Sequence, residues 1–160
     1  MTSFTDLFGD EILTTAGLAP TDVAFQGKKV LGIYFAGYWC PPCRSFTPIV
    51  SRLYEDLVEV HDDIEFIFVS SDREHAQFDE YWGDHMTFPA LPYESRAKKT
   101  ELGKLFEVKY IPTLVFLDAE TLHVITKSGV ELVEGGIDEA DYVRSVRDAL
   151  GLPSVTGGAP

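Results

Sequence analysis

Two stretches of almost unbroken apolarity organise the hydrophobic pattern: Val30-Leu31-Gly32-Ile33-Tyr34-Phe35-Ala36 and Ile64-Glu65-Phe66-Ile67-Phe68-Val69. Short runs of this kind, rich in β-branched and aromatic residues, predict strands covered on both faces of a sheet. Between them Phe46, Ile49, Val50, Leu53, Tyr54, Leu57 and Val58 recur every three or four residues. That period predicts one long helix from Pro41 to about Val60 with a single buried face. Pro48 lies inside it, and a proline there predicts a kink rather than a stop.

The remaining pattern is read in the same way. A helix is expected over 74–85, with Phe78, Tyr81 and Trp82 on one side, then a proline-punctuated loop over 88–93. A shorter helix over 97–106 carries Leu102, Leu105 and Phe106 inward, and a strand over 113–117 pairs with 122–126 as a hairpin. The last helix starts at Asp138, with Asp141 three residues on as an approximate capping box. It buries Tyr142, Val146, Ala149 and Leu150 and ends at Gly151. Ahead of the first long strand, 4–8 reads as a helical turn, 12–15 as a short strand and 22–29 as a connection. This order predicts a single α/β domain over 1–152, a central mixed sheet flanked by helices, followed by a flexible tail over 153–160.

Composition narrows the function classes. The chain has 160 residues, with 26 acidic against 13 basic side chains and a net charge of -13. Such a balance argues against nucleic acid and anionic membrane surfaces as partners. The opening Met1-Thr2-Ser3-Phe4-Thr5-Asp6 has no basic region, and no long apolar run follows it, so neither a secretory signal nor a membrane span is expected. A reducing, cytoplasmic setting and a monomer are the expectations.

The candidate chemistry lies where the first long strand gives way to the long helix. Trp39-Cys40-Pro41-Pro42-Cys43 holds both cysteines of the chain. Two thiols separated by two residues can close and reopen a small disulfide ring if one sulfur is exposed and the other stands ready behind it. Prolines suit a first helical turn, which needs a fixed φ and leaves N–H groups unused. Cys40 then falls at the helix N-cap, where the partial positive charge of the helix end favours the nucleophilic thiolate. Cys43, one turn further in, is the resolving thiol. A zinc site would need four ligands, and His61, His75, His85 and His123 are scattered without a ligand spacing, so no metal is expected. No other cofactor is expected either. A structural disulfide over so short a loop would remove little unfolded-state entropy. Trp39 is read as shielding the sulfur and touching partners rather than as core. Asp72 is read first as a cap for the helix that follows and second as a proton relay. Tyr34 is read as a core residue whose hydroxyl needs a partner, and Arg44 as solvated.

In combination, Trp39-Cys40-Pro41-Pro42-Cys43, Ser70-Ser71-Asp72-Arg73, Ala90-Leu91-Pro92-Tyr93 and Ile111-Pro112-Thr113-Leu114 resemble the tryparedoxin and nucleoredoxin branch of the thioredoxin superfamily. The resemblance covers 25–127. It implies a thioredoxin-like fold, Cys40 as nucleophile and Cys43 as resolving thiol. It further implies that Pro112 is a cis-proline beside the disulfide and that Ile111 offers its backbone to an extended substrate, with Trp39 and Pro41 at the same binding surface. Ordinary thioredoxins carry a buried Asp where this chain has Tyr34, so proton transfer to Cys43 would use Tyr34, water or another group.

Two functions of different class follow. One is an enzyme passing electrons from a low-molecular-weight dithiol or a reductase to protein disulfides such as those of peroxiredoxins. The other is a redox-sensing module whose cysteines gate partner binding. The charge pattern adds an expectation about the donor. Residues 51–85 hold eleven acidic side chains against Arg52 and Arg73, whereas 96–110 hold five basic against two acidic. Because the acidic segment runs toward the expected position of Cys40, a negative field at the site is expected. It would draw in a cationic dithiol such as trypanothione, the donor that the resemblance implies, and disfavour anionic glutathione.

Overall fold

The computed structural model describes residues 3–136 and 140–153. Its elements in chain order are α1 (Phe4–Phe8), β1 (Glu11–Thr14), β2 (Gly17–Pro20), α2 (Thr21–Ala24), β3 (Val30–Ala36), α3 (Pro41–Val60) and β4 (Ile64–Ser70). There follow α4 (His75–His85), α5 (Arg96–Leu105), β5 (Thr113–Asp118), β6 (Val124–Thr126), α6 (Gly129–Gly136) and α7 (Tyr142–Ala149).

All seven residues of β3 are buried, as are all seven of β4. The two lie side by side in parallel, β5 flanks β3 on its other edge in antiparallel sense, and β6 follows β5, giving the strand order β4-β3-β5-β6. The central mixed sheet flanked by helices is therefore present as expected. Alternation along β3 divides the core into two layers. Val30, Tyr34 and Ala36 join the cluster that contains Cys43, Phe46, Leu53, Phe66 and Phe116. Leu31, Ile33 and Phe35 join Leu7, Phe25, Leu102 and Phe106 on the opposite face. At roughly 1.5–3 kcal/mol for each large apolar side chain buried, these two layers are the main favourable contribution to folding.

The long helix α3 runs unbroken through Pro48, with Cys43, Phe46, Val50, Leu53 and Leu57 buried. Several expectations need correction. The strand at 12–15 is β1, shifted by one residue, and it forms a hairpin with β2, which the pattern did not predict. The loop at 88–93 is partly sheet: the Ala90 backbone bridges Leu13 on one side and Phe68 on the other. The prolines at 89 and 92 hide this in the sequence, since each removes a donor without preventing Ala90 between them from pairing. Leu105 points outward and is 57% exposed, while Leu102 and Phe106 are buried. The segment before the last helix contains α6, whose Val133 is buried although glycines flank its short apolar run. The last helix begins at Tyr142. Asp138 of the expected capping box lies outside the described residues, as does the tail from 154 onward. Ala149 is exposed, and the buried partner on α7 is Arg147.

Arg147 explains how α7 is fastened. Its Nη1 and Nη2 donate to Asp63 Oδ1 and Oδ2, each at 2.8 Å, and Nη2 also donates to the Pro153 carbonyl at 3.1 Å. Both side chains are almost fully enclosed, at 3% and 4% exposure. Asp63 stands just before β4, so this fork ties the C-terminal helix to the start of a central strand. Burial alone would raise the Asp63 carboxyl, but the guanidinium facing it outweighs burial and holds it below its ordinary value. A depressed carboxyl contributes stability above its unfolded-state pKa and loses it as pH falls through the folded-state value. Replacing Arg147 with Ala should lower stability at neutral pH by about 3–5 kcal/mol, because a buried carboxylate is left without its partner. Urea unfolding should show the gap between wild type and variant narrowing as pH drops below the ordinary carboxyl range.

Candidate active site

The end of β3 and the start of α3 form the site, and each covalent step between them has a structural reason. Cys40 is the N-cap of α3, Pro41 and Pro42 open the first turn, and both prolines are exposed. The Cys40 N–H donates to the Gly37 carbonyl at 3.1 Å, closing the turn that lifts the chain off the strand. The Cys43 N–H donates to Cys40 Sγ at 3.3 Å, so the first cysteine takes the capping role usually filled by a hydroxyl. Both thiols are free.

Cys40 was expected to be exposed. It is 5% exposed, against none for Cys43, so the order of accessibility holds but the outer sulfur is covered except along one side. That side is a cleft of about 840 Å³ lined by Trp39, Cys40, Ser71 and Ile111 together with residues of α5 and the segment after it. Cys40 Sγ donates to the Ile111 carbonyl at 3.8 Å. The Ile111–Pro112 peptide bond is cis, as expected. Of the residues singled out from the sequence, Trp39, Cys40 and Ile111 meet at this cleft, and Cys43 lies behind Cys40. Pro41 and Pro112 adjoin Cys40 and Ile111 in the chain without lining the cleft.

Trp39 is 45% exposed and is not core. Its Nε1 donates to the Ser71 carbonyl at 3.0 Å, and the Arg73 guanidinium stacks 4.9 Å above its ring. Gly37 makes room for this pose, since a Cβ at that position would stand 2.8 Å from Trp39 Nε1. The arginine that adjoins the motif in space is thus Arg73, whereas Arg44 is exposed, as expected.

Asp72 does something other than cap a helix. The N-cap of α4 is Glu74, and it makes no side-chain capping bond. Asp72 is buried; its Oδ1 accepts from the Tyr38 N–H at 2.6 Å and its Oδ2 from the Ser70 hydroxyl at 2.7 Å. It therefore clamps the turn carrying Trp39 and Cys40 to the end of β4. The clamp is braced from outside: Tyr93 Oη donates to the Asp72 carbonyl at 3.0 Å, Arg96 Nη1 donates to the Ser70 carbonyl at 2.8 Å, and Arg96 stacks on the Tyr93 ring. The 70–73 and 90–93 segments thus meet each other beside the cysteine turn.

Behind Cys43 lies a cluster of hydroxyls. Thr47 Oγ1 donates to the Cys43 carbonyl at 2.8 Å, and Tyr34 Oη lies 2.8 Å from the same oxygen, with Tyr81 Oη also hydrogen-bonded to it. Thr47 has one proton and gives it to the carbonyl, so both tyrosine hydroxyls must donate to Thr47. Tyr34 is held firmly as a phenol by burial, and burial pushes Tyr81 up to about 12. Tyr34 thus meets the first turn of α3 through Thr47, whose hydroxyl it shares with Tyr81. Burial also pushes the Cys43 thiol up to about 12, with Cys40 and Asp72 adding to the effect. Thr47 and Tyr38 carry no signal in the spacing of the chain, Tyr81 reads only as part of a helix face and Ser70 only as part of the Ser70-Ser71-Asp72-Arg73 segment, and the fold assembles them.

The charge expectation is also revised. Of residues 51–85, Ser71 alone lines the cleft, whereas Lys99, Lys104 and Lys109 all belong to its lining. The basic segment supplies the lysines of the cleft lining, and the acidic segment reaches the site through Asp72, buried beside the cysteine turn.

Comparison with known proteins agrees with this geometry. Residues 27–121 match a family model described as thioredoxin-like. Human nucleoredoxin is 35% identical over 126 residues, covering 79% of this chain and 28% of that protein. The chain thus spans less than a third of the length of the zebrafish, mouse and human nucleoredoxins it matches. Tryparedoxin of Trypanosoma brucei brucei is 39% identical over 109 residues, covering 68% of this chain and 74% of that protein. The solved structure of a tryparedoxin II complexed with glutathionylspermidine superposes with a TM-score of 0.75 at 31% identity, covering 82% of this chain and 90% of that one.

The clamp yields a prediction. Asp72→Ala strips acceptors from the Tyr38 N–H and the Ser70 hydroxyl and should cost about 1.5–3 kcal/mol. Hydrogen exchange should quicken at the Tyr38 amide rather than at the first turn of α4. The reverse pattern would restore the helix-cap role.

Proposed function

The chain belongs to the thioredoxin-like family, with tryparedoxins and nucleoredoxins among its relatives, and on that premise we propose that it reduces protein disulfides through a reversible Cys40–Cys43 dithiol. The observation that carries this reading is the stagger of the two free thiols: Cys40 borders the cleft at the open end of α3, and Cys43 is sealed one turn behind it.

The chemistry follows from that stagger. Cys40 attacks one sulfur of a substrate disulfide, the substrate S–S bond breaks, and the departing thiolate takes up a proton. A mixed disulfide now joins Cys40 to the other half. Cys43 then attacks Cys40 Sγ, its proton passing to the second departing thiolate, and the Cys40–Cys43 disulfide forms. Two electrons have moved from the protein to the substrate. Burial delays this second step by keeping Cys43 protonated, so resolution waits until the mixed disulfide is in place. Trp39, Pro41, Ile111 and Pro112 surround the attacked sulfur as the substrate-facing surface. Tyr34 and Asp72 act as supports, the first through Thr47 and the second by clamping the turn.

Electrons would come from a dithiol donor, trypanothione among them, or from a reductase, and would leave to protein disulfides such as those of peroxiredoxins. A reducing cytoplasm would keep the pair cycling. The test is twofold. The wild-type chain should accelerate insulin reduction by dithiothreitol, and Cys43→Ser should accumulate mixed disulfides on Cys40 whereas Cys40→Ser should accumulate none. Trapping by Cys40→Ser would exchange the two roles. Oxidation-dependent partner binding with no turnover would support the gating module instead.

A further inference from the structure

Resting on the reductase reading, we propose that the cleft beside Cys40 selects small peptide disulfides that carry free carboxylates. Lys99 and Lys104 on α5 and Lys109 after it line the cleft. Among the described residues none of the three forms an ion pair. The carboxylate in the lining, Glu107, is already engaged by Lys127 Nζ at 2.7 Å. Its carboxyl is held below the ordinary range by that lysine first, and Lys109 adds to the effect. The lining therefore carries Lys99 and Lys104 with no ion-pair partner among the described residues, and Lys109 beside a Glu107 already held by Lys127.

The size and surroundings of the cleft choose between occupants. A volume of about 840 Å³ is that of a small-molecule site. An acidic protein would also have to approach a chain whose net charge is -13. That repulsion acts over the whole facing surface, whereas a small anion inside the cleft lies within a Debye length of the lysines and largely escapes the rest. Gly103 adds room, since a Cβ there would meet nothing within 4 Å. Ser71 and Thr100 supply polar groups at the rim.

In the proposed step the reduced protein and the disulfide R–S–S–R give the Cys40–Cys43 disulfide and two R–SH. The two protons of the dithiol end on the two released thiols, and both electrons come from the protein. A dithiol donor regenerates the reduced pair. The carboxylates of R meet the lysine wall while one sulfur lies against Cys40 Sγ.

Single-turnover stopped flow on the pre-reduced chain tests this with three probes: oxidised glutathione (anionic), bis(2-hydroxyethyl) disulfide (neutral) and cystamine (cationic). Rates are corrected for each probe's reaction with free dithiothreitol. Oxidised glutathione should lead the neutral probe by about tenfold, and cystamine should trail it. The lead should shrink as salt rises and vanish in the Lys99→Gln/Lys104→Gln/Lys109→Gln variant. Gly103→Leu, which fills the cleft while improving helix propensity, should slow oxidised glutathione more than the smaller neutral probe. Equal corrected rates, or a lead that survives in the triple variant, would overturn the inference while leaving the reductase reading intact. A lead seen only for acidic protein disulfides would likewise overturn the commitment to small ones. Reaction with none of the three probes in a chain that still reduces insulin would overturn this inference alone, and failure with insulin as well would remove the reductase reading and this inference with it.

Discussion

A sulfur that must react has to be delivered from an element that must stay dry, and β3 is that element. Its seven residues are buried and paired with β4, and Val30 to Phe35 are paired with β5 as well, so the strand reaches its carboxyl end held from both sides. The turn from Gly37 to Cys40 converts that fixed end into a helix start. Cys43 falls on the buried side of α3 because the helical period places it with Phe46 and Val50. Burial of the second thiol is thus a consequence of packing, and its raised pKa follows from the same packing.

What was legible in the sequence was whatever local pattern dictates. The run from Val30 to Ala36 and the period from Phe46 to Val58 are signals a short window carries, and both elements are where they were expected. The motif placed Cys40 at the helix start for the same reason, since adjacent prolines after a strand leave few alternatives. The misses are positions where a distant partner decides. Ala90 pairs because Leu13 and Phe68 lie on either side of it. Asp72 could cap the next helix by sequence, yet the Tyr38 N–H, thirty-four residues earlier, claims its Oδ1. Arg147 reads as a surface charge on an amphipathic helix until Asp63, eighty-four residues earlier, is brought beneath it.

Charge shows the same division. Net charge and its segmental bias are facts of the sequence, but a field at a site depends on which segment folds against it. The acidic stretch from 51 to 85 is spread over α3, β4 and α4, and Ser71 is what it contributes to the cleft. The basic stretch folds as α5 and the segment after it, and these form the cleft wall. A strongly acidic chain thereby acquires a lysine-rich lining beside Cys40. On the proposal above, the lysines set the field that a small anion in the cleft would meet, because most of the chain's more distant carboxylates are screened there.

The coverage of Cys40 turns this local charge into a matter of chemistry. A sulfur open on all sides would meet substrates from any direction, and the flanking surface would matter little. Here Trp39 is pinned by Ser71 and stacked under Arg73, the cis Ile111–Pro112 segment holds the Ile111 carbonyl against Sγ, and α3 fills the space behind. The remaining approach runs along the cleft. In-line attack requires the sulfur under attack and its leaving partner to extend away from Cys40 Sγ, so the leaving half of the substrate is directed along the cleft that the lysines line. On the proposed chemistry, selectivity would act on the group that departs, and the lysines that recognise the substrate would also receive the charge released on the outgoing thiolate.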